Sequence, residues 1–122
     1  MAASENFPAV FERLKLILES YAANMLVTAD GPRGYSLDSH PTAKYPKGMF
    51  FGSATIKKNY VSFYLMPIYM FPDLLKGLPE CLSKRKQGKS CFNFTKIDEQ
   101  AFDELARLTQ KGFERGKREL SA

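Results

Sequence analysis

The chain has 122 residues, 44% hydrophobic and 25% charged, an ordinary globular composition and a length that suits one domain with a core of its own. Its longest apolar run, Tyr64 to Phe71, is broken by Pro67 and too short for a bilayer, and MAASENF lacks a signal peptide's basic start and apolar run, so a cytoplasmic protein with no membrane partner is expected. A net charge of +5 favours an anionic partner in general, but zinc-finger spacing and a helix-turn-helix pattern are both missing, which argues against nucleic acid.

Phe7, Val10, Phe11, Leu14, Ile17, Leu18 and Tyr21 recur at three- and four-residue steps, predicting a helix with Glu12, Arg13, Lys15 and Glu19 on its wet side. Ser4 is its expected cap, and Pro8 is tolerated in the first turn. Met25 to Ala29 reads as a strand, Asp30-Gly31-Pro32 as a turn and Gly34 to Leu37 as a second strand. Ser39 to Lys47 holds His40-Pro41 and Tyr45-Pro46, where each proline forces extended backbone before it. A surface loop carrying Lys44 and Lys47 is expected there. Gly48 to Ile56 and Tyr60 to Met66 read as the third and fourth strands, joined through Lys57-Lys58-Asn59.

Pro67 is expected to end the fourth strand, and Pro72-Asp73 to open a helix. Pro79-Glu80 begins a second short helix or a kinked continuation. Gly88 would close it, with Lys84, Arg85 and Lys86 facing the negative end of the helix dipole. Lys89 to Thr95 reads as a fifth strand. A last helix, from near Asp98 to about Lys117, puts Phe102, Leu105, Ala106, Thr109 and Phe113 on one face. The sum is a single α+β domain over residues 1–122, in the order αββββαβα, with an antiparallel sheet of about five strands flanked by N- and C-terminal helices.

Strand alternation points to a candidate site. Val61, Phe63 and Leu65 share one face and Ser90, Phe92 and Phe94 another, and both apolar sets are expected to turn inward. The opposite face then collects Ser62, Tyr64, Lys89, Cys91 and Asn93, an amphipathic surface for a small anionic ligand or a second copy of the chain. Tyr64 offers stacking area, Lys89 a charge, Asn93 a hydrogen-bond pair and Cys91 a soft contact. Lys89 beside Cys91 also suggests an activated thiolate, although the sole histidine, His40, lies in a different segment.

Other chemistries find less support. Gly88-Lys89-Ser90 matches the end of a phosphate-binding loop, but Ser83 replaces the first glycine and the predicted order is helix to strand, the reverse of what a phosphate cradle needs. One histidine with Cys81 and Cys91 cannot build a standard zinc site, and free thiols are expected. Asp98, Glu99, Asp103 and Glu104 are candidates for weakly holding a hard cation, or for complementing the helix dipole ahead of Lys111, Arg115, Lys117 and Arg118. No cofactor is expected.

YVSFYLMPIY, followed by KRKQGKSCFNF and a closing amphipathic helix, resembles the YdhG-like family of small bacterial proteins. The resemblance runs from about the second strand onward and is firmest over Met49 to Phe94. It implies a compact α+β domain with an antiparallel sheet and helices at both chain ends, and it supplies no catalytic residue. Part of that family is described as frataxin-like and associated with intracellular iron handling. The expectation is therefore a non-enzymatic binding or adaptor module, with an iron chaperone as first alternative and a thiol-dependent enzyme using Cys91 as the second.

Overall fold

Alternating apolar and polar residues build an antiparallel sheet of six strands, and the computed structural model describes residues 6–43 and 45–120, the side chains of 119 and 120 excepted. The elements are α1 (Phe7–Glu19), β1 (Leu26–Gly31), β2 (Gly34–Asp38), β3 (Phe50–Ile56), β4 (Val61–Leu65), α2 (Met66–Met70), α3 (Glu80–Ser83), β5 (Lys86–Gln87), β6 (Cys91–Phe94) and α4 (Glu99–Leu120). Single 3₁₀ turns occupy Ala22–Asn24 and Pro72–Leu75. Strand order is β1-β2-β3-β4-β6-β5, so β6 reaches past β5 to pair with β4.

The phenylalanines turn inward as the alternation predicts. Phe63 and Phe92 are register partners, and both are 0% exposed. Phe94 is also sealed, its ring 5.1 Å from that of Phe102 on α4. Phe7, Val10, Phe11, Leu14 and Leu18 of α1 close over the same side of the sheet. Burying one such side chain contributes about 1.5–3 kcal/mol. Thr109, buried on α4, donates its hydroxyl to the Leu105 carbonyl at 2.8 Å, which satisfies it inside an apolar layer.

Two local devices shape the end of the sheet. β3 carries a bulge: Leu37 pairs with Gly52 and Asp38 with Phe50, leaving Phe51 as the extra residue. Phe51 and Gly52 therefore both turn inward, and Phe50 stays on the outer side. The Phe50 ring meets Tyr64 at 5.1 Å, while Phe51 meets Tyr21 at 5.8 Å and Phe113 at 6.1 Å. Gly112 lets α4 approach α2, because a Cβ there would stand 3.0 Å from Pro67 Cβ.

The stretch from Pro67 to Gly88 departs from expectation. Pro67 lies within the short helix α2, the helix expected at Pro72 is a 3₁₀ turn, and after a left-handed Gly77 (φ +72°) the second short helix expected at Pro79-Glu80 is the single turn α3. A helix piece of one turn forms few hydrogen bonds for its nucleation cost, so Pro72, Gly77 and Pro79 overcome the weak pattern between them. Lys86 joins the additional strand β5, pairing with Phe92, and Gly88 (φ +72°) forms the β5–β6 turn instead of a helix cap. Of the basic run, Lys84 stays at the C-cap of α3, a helix of one turn, while Lys86 belongs to β5. Ser4 as a cap, and Lys44 in the loop, lie outside the described residues. No helix among the described residues is long and apolar enough to cross a membrane.

Candidate functional site

The sheet side facing away from the helices is ordered in cross-strand rows. Ser36, Ser53, Tyr64, Cys91 and Gln87 are successive register partners, and Thr55, Ser62 and Asn93 form the next row. Four of the five residues expected to form a site, Ser62, Tyr64, Cys91 and Asn93, are thus brought together, each half-buried. Lys89 leaves them. It precedes β6, its ammonium lies 6.0 Å from the centroid of the Tyr69 ring, and with Lys86, Pro72 and Leu75 it lines a separate shallow hollow. Asn93 Oδ1 and Arg85 Nε are buried without a hydrogen-bond partner among the described residues, at about 1–3 kcal/mol of desolvation each. The acceptor half of the hydrogen-bond pair expected of Asn93 is therefore not presented to a ligand.

The acids of α4 are divided among structural tasks. Asp98 Oδ1 accepts the Ala101 N–H at 3.1 Å, capping the helix, and its other oxygen accepts from Arg85 at 3.0 Å. The backbone bond first, and then the guanidinium, hold the Asp98 carboxyl below its ordinary range. The Arg85 guanidinium also lies 5.8 Å from the Phe94 ring centroid. Glu99 forms a two-pronged pair with Arg13, whose hydrogen bonds lower the Glu99 pKa. No group of three or more His, Cys, Asp or Glu converges on a metal position among the described residues. The proposed set of Asp98, Glu99, Asp103 and Glu104 is corrected accordingly: two of its members already serve arginines.

A second concavity lies at the end of the sheet where β3 begins. It measures about 320 Å³, against about 560 Å³ for the hollow beside Lys89. Met25, Met49, Met66 and Met70 line it, which is four of the chain's five methionines. The rings of Tyr45, Phe50, Phe51 and Phe113 join them, and Gly112 and Gly116 of α4 form a wall without side chains. Burial raises the pKa of Tyr21, whose ring backs this wall at 4.8 Å from Phe113.

The loop leading into β3 is fastened at its base. Ser39 N–H donates to the Met49 carbonyl at 2.7 Å, and the Met49 N–H donates to Ser39 Oγ at 2.9 Å. Gly48 (φ +79°) is required there, since a Cβ would fall 2.4 Å from the Ser39 carbonyl oxygen. Thr42 and Tyr45 exchange two further bonds, Thr42 N–H to the Tyr45 carbonyl at 2.9 Å and Tyr45 N–H to Thr42 Oγ1 at 3.0 Å. The loop carrying His40 and Tyr45 is therefore a built wall of the pocket.

Strand and helix periodicities did not reveal this pocket, because its lining comes from segments near residues 25, 40–51, 66–70 and 112–117. The trace left in the sequence is Gly112 and Gly116, four apart in the interior of a helix. Each costs about 1 kcal/mol of helix propensity relative to alanine, which calls for a packing or binding reason. Comparison with known proteins gives no match: no family model, no curated protein and no solved structure matches the chain. The YdhG-like resemblance accordingly rests on the two motifs that suggested it.

Proposed function

We propose that the protein is a non-enzymatic binding module that holds a small molecule by its apolar body in the methionine-lined pocket. The observation carrying this reading is the gathering of four methionines and four aromatic rings around one cavity of about 320 Å³. Methionine side chains are flexible and polarizable, so such a lining adapts to a guest and contacts aromatic or aliphatic groups with little strain. A cavity of this size that is mostly apolar with a few polar groups at its edge is the usual form of a small-molecule site. A cytoplasmic setting belongs to the same reading, and the free Cys81 and Cys91 agree with it. Native mass spectrometry of freshly purified protein tests it: a retained mass lost on organic extraction is expected, with a lower melting temperature afterwards. Unchanged mass and melting temperature after extraction, together with no shift from a panel of apolar compounds, would defeat the reading.

A second surface is favoured by a different observation. The two rows across the open sheet face are made of Ser36, Ser53, Tyr64, Cys91, Thr55, Ser62 and Asn93, with Gln87 at one end and no charged side chain. Solvated faces usually carry charge, and two copies can meet across these uncharged rows, bordered by Asp38 opposite Phe50, without burying ions. We propose this face as a seam between two copies. Sedimentation of the parent chain beside Ser53→Lys checks it: a dimer made monomeric by the lysine supports the seam, and a parent that stays monomeric at high concentration removes it. The iron-chaperone and thiol alternatives have no comparable observation behind them.

A further inference from the structure

We infer that the guest of the methionine-lined pocket is an organic acid, with its apolar body among the thioethers and rings and its anionic end at the rim. This rests on the binding reading above and narrows it to a ligand class. The polar residues of the lining are Asn24, Ser39, His40, Tyr45 and Lys117. Every one of these side chains can donate a hydrogen bond, and none is a carboxylate. Ser39 Oγ already accepts the Met49 N–H, which leaves its own hydroxyl proton to be directed elsewhere. Among the described residues the lining thus carries donors and no carboxylate, which complements an acceptor-rich, negatively charged group.

Size and orientation follow from the same cavity. A void of about 150 Å³ accommodates one benzene ring, so about 320 Å³ accommodates roughly a two-ring body or a comparable short chain. An unpaired carboxylate among methionines would pay a heavy desolvation cost, so the acid stays at the donors and the hydrocarbon goes inward. The rings of Phe50, Phe51 and Phe113 reward an aromatic body further, since sulfur and ring contacts each add a fraction of a kcal/mol to about 1.5.

The test uses the full chain and three probes with one body and different ends: naphthoate, naphthylmethanol and naphthylmethylamine, titrated by calorimetry. Naphthoate is expected to bind about tenfold more tightly than the alcohol, with the amine weakest. Lys117→Gln is expected to narrow the acid's lead, and Gly116→Leu, which fills the wall of the pocket, to weaken all three. Met70→Phe serves as a second filling variant should the first not fold. An alcohol or amine that binds as tightly as the acid overturns the inference while leaving the pocket as a binding site. Binding by none of the three, or binding indifferent to both filling variants at parental melting temperatures, overturns the site and the inference together.

Discussion

The open sheet face and the methionine pocket lie at neighbouring positions in the fold but are built by opposite rules. The face is made of side chains two residues apart on adjacent strands, so its members are register partners: Ser62 with Asn93, Tyr64 with Cys91. The pocket is made of side chains from four distant segments that share nothing but their destination. A face of the first kind inherits its shape from the backbone and is flat. A cavity of the second kind exists only because particular side chains are missing or flexible, here two glycines and four methionines. Flat, uncharged rows suit another flat surface, whereas a concave apolar recess suits a compact guest.

Substitutions can break or sharpen this contrast, beginning with the largest effect. Phe63 and Tyr64 are adjacent but lie on opposite sides of β4. Phe63→Ala should cost about 3–5 kcal/mol in urea unfolding, and Tyr64→Ala only the ring contact with Phe50, about 0.5–1.5 kcal/mol. Equal costs would mean that the outer face is covered. The two α4 glycines come next. Gly112→Ala forces a methyl against Pro67 and should destabilise by about 1–3 kcal/mol. Gly116→Ala, facing the recess, should gain up to about 1 kcal/mol in thermal unfolding. A loss at both positions would place both glycines in packing alone.

Asp98 gives a smaller effect at the far end of α4. Asp98→Ala should lose about 1 kcal/mol through the cap, while Asp98→Asn keeps a capping oxygen and loses the charge facing Arg85. Because the folded carboxyl titrates below its ordinary range, the stability it lends is complete above the unfolded pKa and disappears as the pH falls through the lowered value. Acid unfolding of the parent should therefore be steeper than that of Asp98→Asn, and parallel curves would contradict the assignment. The smallest effect is expected from Ser53→Lys on the open face, within about 0.5 kcal/mol by chemical denaturation at dilute concentration.

What the sequence disclosed follows the same division. Strand alternation in YVSFYL and SCFNF put Phe63, Phe92 and Phe94 inside and Tyr64 and Cys91 outside, because period two is a property of the backbone itself. Helical spacing likewise found most of the buried faces of α1 and α4, missing Ala101 and Leu108. Between Pro67 and Gly88, Pro72 and Pro79 mark the two short helical pieces, whereas α2 and β5 leave little signal because they are only five and two residues long. Lys89 was assigned to the open face by extrapolating strand alternation into what is a turn. The recess left almost no local signal, since Met25 and Met70 acquire a common role only through tertiary folding.

The bulge in β3 constrains how the chain tolerates insertions and deletions. Removing a single residue at Phe51 would restore strict alternation with Phe50 still opposite Asp38 on the Tyr64 side, and would take away the ring that meets Tyr21 and Phe113. Length changes are accommodated more easily in the segment before it, between the paired ends Ser39 and Met49, where exposed Pro41, Ala43 and Pro46 mark the outside of the loop. A tag or a fluorescent reporter spliced there would ride beside the recess without disturbing the sheet.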